Sequence, residues 1–307
     1  MRPFVQVDVF TDTPYGGNPL AVVSDAQGLS ADAMQAFARW TNLSETTFIT
    51  APSPHDIERG ADYALRIFTP GGELPFAGHP TLGSCHAWLR SGGAPRIKGT
   101  VVQACGQGLV NIRQLESGLA FAAPPLKREE VEPDLLGAIA AALGIELAHI
   151  EASQLLDNGP QWLGLILGSS ETVLGLEPDH ARLRELGHKV GVIHLENTDP
   201  APLLIGRSNR EARAFMGQER RADIQQTQAT VRAFAAPMGV LEDPVTGSLN
   251  ASLAQWLMET GRAPSCYLAV QGERLGRYGQ VHIHQDASGQ VWVGGSVVTC
   301  IEGSVLL

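Results

Sequence analysis

Three observations in the 307-residue sequence predict an α+β fold of two similar domains, each a curled, mostly antiparallel, barrel-like sheet around a central helix. Strand and helix patterns alternate from one end to the other. Two helical stretches, around Leu82–Leu89 and Leu249–Leu257, carry small residues (Gly83, Ser84, Ala87; Ala251, Ser252, Ala254) and few charges. A helix that is apolar nearly all round must be buried, and small residues let surrounding strands come close. A shift of 168 positions lays Ser84, Trp88, Leu89 and Gly93 on Ser252, Trp256, Leu257 and Gly261. A spacing that long, met once, points to two like domains rather than a solenoid, with chance likeness of two short helices as the alternative.

The elements follow in chain order. Val5, Val7 and Val9 alternate with mostly polar neighbours and read as a strand. The turn Gly16-Gly17-Asn18-Pro19 leads to a second strand, Leu20–Val23. Ser30 suits the N-cap of a helix burying Met34, Phe37 and Ala38. Strands follow at Thr47–Ile49 and Tyr63–Phe68. Leu82, Cys85, His86 and Leu89 mark a helix face that Gly92-Gly93 ends. Strand signals crowd at Val101-Val102, Leu109–Ile112 and Leu119–Phe121. Ala122-Ala123-Pro124-Pro125, with the charged run Lys127–Glu130, reads as a linker, because a double proline cannot continue a central strand. Beyond it, Leu135, Leu136, Ile139 and Leu143 form a helix face stopping at Gly144. Ser208 and Glu211 have capping-box spacing ahead of Phe215. The tail from Tyr267 to Leu307 is strand-rich. The expected limits are 1–123, joined by a final strand at about 299–307, and 124–298.

At ~150 residues per domain the length fits two domains. Hydrophobic residues at 44% and charged residues at 18% exclude a disordered chain. The net charge of −10 argues against nucleic acid and anionic membranes as partners. No window approaches the ~18 apolar residues of a membrane span, and the N-terminus lacks a signal-peptide pattern. Cys85, Cys105, Cys266 and Cys300 lie far apart, which predicts buried thiols in a reducing cytoplasm.

Three segments could carry chemistry. Asn42-Leu43-Ser44-Glu45-Thr46-Thr47-Phe48 sets a carboxylate among small polar groups ahead of a strand. Glu45 is either an exposed turn residue or, in a desolvated pocket, a proton-exchanging acid. Ala77-Gly78-His79-Pro80-Thr81 opens a helix whose unpaired N–H groups favour an anion. His79 there is a capping residue or a contact that relays a proton. Asp243-Pro244-Val245-Thr246-Gly247-Ser248 repeats the arrangement, and two such helix ends on one cleft would suit proton abstraction beside a carboxylate. His282-x-His284 has no third ligand, so no metal is expected. Ser44 lacks a nucleophile elbow, and no Gly-rich nucleotide motif opens a helix.

Taken together, Gly17-Asn18-Pro19-Leu20-Ala21-Val22, Leu43–Phe48, Arg66–Pro70, Phe76–Thr81, Asp243–Ser248 and Gln271-Gly272 through Gly276-Arg277 resemble the PhzF family. These are the phenazine-biosynthesis-type isomerases of the diaminopimelate epimerase fold superfamily. The resemblance runs through nearly the whole chain. It implies a site in the cleft between the halves, a small carboxylate-bearing substrate, no cofactor and a homodimer. It implies that Glu45 is the general acid/base and that His79 and Asp243 assist proton movement. Asn18, Ser44, Gly78, Thr246, Gly247 and Ser248 would contact substrate. Amino-acid epimerases related to the family use a cysteine at each helix end. Here Ala77 and Pro244 or Val245 stand in those places. The expected activity is therefore a proton-shifting isomerase like trans-2,3-dihydro-3-hydroxyanthranilate isomerase. An epimerase, a lyase or a non-catalytic metabolite-binding protein are the alternatives. Tyr278 replaces a proline common after Gly-Arg in the family.

Overall fold

A computed structural model describes residues 1–115, 118–196 and 228–307. The first strands are β1 (Arg2–Val9), β2 (Asn18–Val23), β3 (Thr46–Thr50), β4 (Tyr63–Thr69), β5 (Gly72–Leu74), β6 (Thr100–Cys105), β7 (Gly108–Leu115), β8 (Gly118–Ala122) and β9 (Lys127–Glu129). They continue as β10 (Ile150–Asp157), β11 (Gln161–Leu167), β12 (Val190–Leu195), β13 (Gln228–Phe234), β14 (Cys266–Gln271), β15 (Gly279–Gln285), β16 (Val291–Gly295) and β17 (Val297–Val305). The helices are α1 (Ala31–Thr41), α2 (Pro54–Glu58), α3 (Gly78–Arg90), α4 (Pro133–Leu143), α5 (Ser170–Gly175), α6 (His180–Leu186) and α7 (Gly247–Glu259).

All these strands join one sheet. Its first run is β17-β1-β2-β3-β4-β6-β7-β8, which curls around α3. Its second is β9-β10-β11-β12-β13-β14-β15-β16, packed on α7. The two runs meet where β8 pairs with β16. Parallel pairs fall at matching places, β2/β3 and β4/β6 in one run, β11/β12 and β13/β14 in the other. Crossovers also match: β9 follows β8 into the second run, and β17 follows β16 back onto β1. The charged segment Lys127–Glu129 is thus an edge strand on β10, not linker, its exposed charges suiting an edge. Pro19 lies inside β2 rather than in the turn, opposite Asp8 of β1 and ahead of the stretch that pairs with β3.

Helix positions 78–85 and 247–254 are buried without a break. A Cβ on Gly83 would lie 2.6 Å from Leu20, so β2 could not sit this close to a larger residue. The helices align at an offset of 169, Gly78 on Gly247, one position away from the sequence echo. At that offset equivalent bonds appear: Thr81 Oγ1 donates to Ala77 O, and Asn250 Nδ2 donates to Thr246 O. Each is joined by a buried strand glutamine, Gln103 donating to Thr81 Oγ1 and Gln271 accepting from Asn250. The four echoed identities are therefore out of structural register. Likeness between the halves resides in topology.

Outside the sheet, α1 buries Met34, Phe37 and Ala38 against Phe48 and Phe68. Full burial of one such side chain stabilises by roughly 1.5–3 kcal/mol. Ser30 caps α1 by accepting from Ala33 N–H. A second cluster joins Ile139 and Leu143 of α4 to Val173, Leu183, Val192 and Phe234. The elements α2, α5, α6, β5 and β10–β13 have no counterpart in the sequence reading. Ser208, Glu211 and Phe215 lie outside the described residues. Among the described residues no helix is long and apolar enough to cross a membrane. All four cysteines are thiols, but only Cys85 is buried; Cys105 and Cys300 are half-buried and Cys266 is exposed.

Candidate active site

Asn42 ends α1 with φ 54°, a left-handed cap that asparagine tolerates, and the reversed chain delivers Ser44 and Glu45 to the mouth of β3. His79 is the second residue of α3. Asp243 lies on the loop before α7, its N–H bonded to Ala233 O at 2.9 Å. These three segments converge on one cleft with about 160 Å³ of free space, lined by Ser44, Glu45, Gly78, His79, Asp243, Thr246, Gly247 and Ser248 among others. Of the residues expected to touch substrate, only Asn18 is absent from the lining. Its amide is fully buried, donating to Asp243 Oδ1 and Val245 O, both at 2.8 Å, and accepting from Ser44 Oγ at 3.3 Å. The amide is committed to protein partners, so Asn18 holds the site together.

Glu45 Oε2 stands 3.4 Å from His79 Nε2, and neither atom has a hydrogen-bond partner among the described residues. Burial pushes the His79 imidazole down to about 3, so the contact is neutral rather than an ion pair. Burial, and then the charge of Asp243, raises Glu45 well above the carboxylate range. Burial also raises Asp243, but it accepts bonds from Thr246 Oγ1 at 2.6 Å and from Asn18 that favour its ionised form. The two carboxyls are thereby drawn apart, Glu45 holding a proton more tightly than Asp243.

Neither α3 nor α7 has a side-chain N-cap bond. Ala77 offers no oxygen, and the Thr246 hydroxyl donates to Asp243 instead. Leaving a helix start uncapped costs about 1 kcal/mol. Here it leaves first-turn N–H groups available to a ligand.

Several contributors went unread in the sequence. Gln271 donates to Asp243 O and Thr246 Oγ1 and accepts from Thr246 N–H, tying the Asp243 loop to β14. The alternation of buried Tyr267, Ala269 and Gln271 was its signal: a glutamine on an inward strand face needs partners. Arg232, 4% exposed, grips Glu242 with two bonds of 2.9 and 2.8 Å and bonds Leu176 O at 2.7 Å. Lys189 and Trp162 also line the cleft. Tyr278 N–H donates to Gly16 O at 2.7 Å, a bond that proline cannot make. It helps Arg277, which bonds Tyr15 O, hold the turn leading into Asn18.

The model of the family described as phenazine biosynthesis-like protein matches residues 7–303. The chain belongs to that family. Antisense-enhancing sequence 1 of Schizosaccharomyces pombe is 33% identical, over 98% of this chain and 97% of its own. A trans-2,3-dihydro-3-hydroxyanthranilate isomerase of Pseudomonas aeruginosa is 29% identical, with both chains covered in full. A PhzF-family crystal structure from Bacillus anthracis superposes with a TM-score of 0.78 at 20% identity, covering 100% of this chain and 99% of the other. Several relatives of this family member are named isomerases, and it is an isomerase of the same family. Its cleft lining contains no cysteine. Cys85 lies inside α3, its thiol pushed up to about 12 by burial. No two-thiol site is present among the described residues.

Proposed function

We propose that this isomerase shifts a proton on a small, cyclic, carboxylate-bearing metabolite, with Glu45 as the general acid/base and without a cofactor. The carrying observation is the 3.4 Å contact between Glu45 and neutral His79 on the wall of the cleft. A raised carboxyl pKa makes ionised Glu45 a stronger base toward a carbon acid and keeps both protonation states populated near neutrality. Glu45 takes a proton from one carbon, the electron pair moves into the substrate's π-system, and the proton returns at another carbon. Neutral His79, too weak a base to keep a proton, can pass it on through its ring, and Asp243, the more acidic carboxyl, holds the negative charge in the cleft. Charge developing on the substrate's carboxylate end meets the uncapped N–H groups of α3 and α7. The relatives named trans-2,3-dihydro-3-hydroxyanthranilate isomerase make that compound the first substrate to try.

Incubation in deuterated water with this and related cyclic amino carboxylates, read by mass spectrometry, tests the proposal. Wild type should incorporate solvent deuterium, and Glu45→Gln should slow incorporation by at least roughly 10²-fold while remaining folded. Binding without exchange would favour a non-catalytic metabolite-binding protein. Undiminished exchange in Glu45→Gln would remove Glu45 from the chemistry.

A further inference from the structure

Trp162 and Lys189 are neighbours across the parallel pair of β11 and β12. They directly precede the partnered residues Leu163 and Val190, and Leu163 N–H donates to Lys189 O at 2.8 Å. That register puts the Lys189 ammonium over the Trp162 ring, 4.6 Å from its centroid. Both residues face the cleft. Lys189 is the sole lysine or arginine among the lining residues, and it makes no ion pair among the described residues. Its neighbours in the cleft are two acidic groups, Glu45 and Asp243, and an uncharged imidazole. Among the described residues its ammonium is the one cationic side chain in the lining to offset the negative charge of Asp243. The third element of the corner is Ser248. Its Oγ accepts the Trp162 indole N–H at 3.3 Å, and its backbone carbonyl accepts from Asn158 at 3.2 Å. An oxygen that accepts from an indole keeps its own hydroxyl hydrogen to donate elsewhere.

We infer that Lys189 is the specificity-determining cation of this cleft, receiving the carboxylate of a ring substrate together with the Ser248 hydroxyl while Trp162 fixes the ammonium's position. The inference rests on the proton-transfer reading and extends it by naming the group that selects an acid over its neutral analogue. An ammonium has three N–H donors, and a single aromatic face cannot satisfy them all. Its match is an incoming anion, and a charge-assisted bond is roughly twice as strong as a neutral one. Burial lowers Lys189 to about 8, and a bound carboxylate beside it would favour the charged form. The carboxylate end, set against the helix starts, is anchored from the second half by Lys189 and Ser248, and the reacting carbons face Glu45 and His79 on the first.

The test uses the full chain and two probes of nearly one shape, 3-hydroxyanthranilate and its neutral amide, 2-amino-3-hydroxybenzamide, titrated by calorimetry. Wild type should prefer the acid by about 10-fold or more. Lys189→Met, which keeps an unbranched stem on Trp162, should weaken the acid by roughly 10–100-fold and the amide by less than about 2-fold. Lys189→Arg should keep the preference for the acid and shows that charge rather than packing is read. An equal affinity of wild type for both probes overturns the inference, as does a preference for the acid that survives in Lys189→Met. Deuterium exchange judges the underlying reading separately. Exchange without any acid preference removes only the role of Lys189. An acid preference lost in Lys189→Met, with no exchange on any substrate, upholds Lys189 and removes the isomerisation proposal.

Discussion

Gly78 and Gly247 touch backbone to backbone: a Cβ on Gly78 would lie 2.9 Å from the Gly247 Cα, and one on Gly247 would lie 3.0 Å from the Gly78 Cα. The two central helices therefore meet start to start, each N-terminus seated against the other. Their uncapped first turns open on the same cleft because nothing larger than hydrogen separates them. The approach brings Glu45 and His79 from one half within reach of Asp243 and Ser248 from the other.

Gly78→Ala and Gly247→Ala should each destabilise by about 1–3 kcal/mol through overpacking, and the pair should not add. Gly137→Ala is the internal control. It lies in α4 with nothing within 4 Å of its added Cβ, and should stabilise by about 0.5–1 kcal/mol. Urea unfolding checks all three.

The raised Glu45 carboxyl makes a definite statement about stability and pH. A carboxyl whose folded value lies above its unfolded one binds more protons in the folded state. Stability from this group is present below the unfolded value and is lost as pH rises through the folded one. Glu45→Gln should therefore gain thermal stability relative to wild type as pH rises above the ordinary carboxylate range. The difference in Tm between the two proteins should vanish in acid. A difference that is constant from acid to alkaline pH would contradict a raised Glu45.

Asn18→Ala removes the Asp243 Oδ1 donor at a residue that does not itself line the cleft. Asp243 should become still harder to ionise, so the acid limb of the pH–rate profile should move to higher pH. kcat should fall by roughly 10-fold or more, equivalent to about 1.4 kcal/mol, while KM changes little. A KM effect without a pH shift would instead make Asn18 a substrate contact.

Arg232→Met should leave Glu242 buried, 8% exposed, with its guanidinium partner gone. Removing one member of such a buried pair costs about 3–5 kcal/mol. Denaturant unfolding should show that loss. The double change Arg232→Met with Glu242→Leu should recover most of it.

Tyr278→Pro should cost about 0.5–1.5 kcal/mol, because it deletes the N–H that bonds Gly16 O. Tyr278→Phe should be neutral, since the side chain is 55% exposed and the backbone makes the contact. Thermal unfolding of both variants separates the two contributions.

Local patterns were legible where one short segment fixed them. Ser30 announced the start of α1, Gly144 the end of α4, and the charge-poor stretches after Gly78 and Gly247 announced burial. The resemblance to the PhzF family brought Glu45, His79 and Asp243 forward as a set. Other features were illegible because they depend on partners far along the chain. Lys127–Glu129 looks like a solvated charge run until β10 supplies hydrogen bonds. Lys189 and Trp162, 27 positions apart in sequence, become one corner through the parallel register of β11 and β12. The echo of Ser84 and Trp88 in Ser252 and Trp256 pointed to two halves, though in a register one residue from the one the glycine contact imposes.

By itself the sequence determined the periodicities, the caps, the burial of two helices and the residue types able to move a proton, because each is a property of a few neighbouring positions. The tertiary structure decided what those residues are chemically. Glu45 holds its proton because burial and Asp243 disfavour its charge. His79 is neutral because it is 3% exposed. Asn18 is a clamp because its amide finds Asp243, 225 positions away. Desolvation and Coulomb interaction depend on distance in space, and that distance is set only when α3 and α7 close on each other across two glycines.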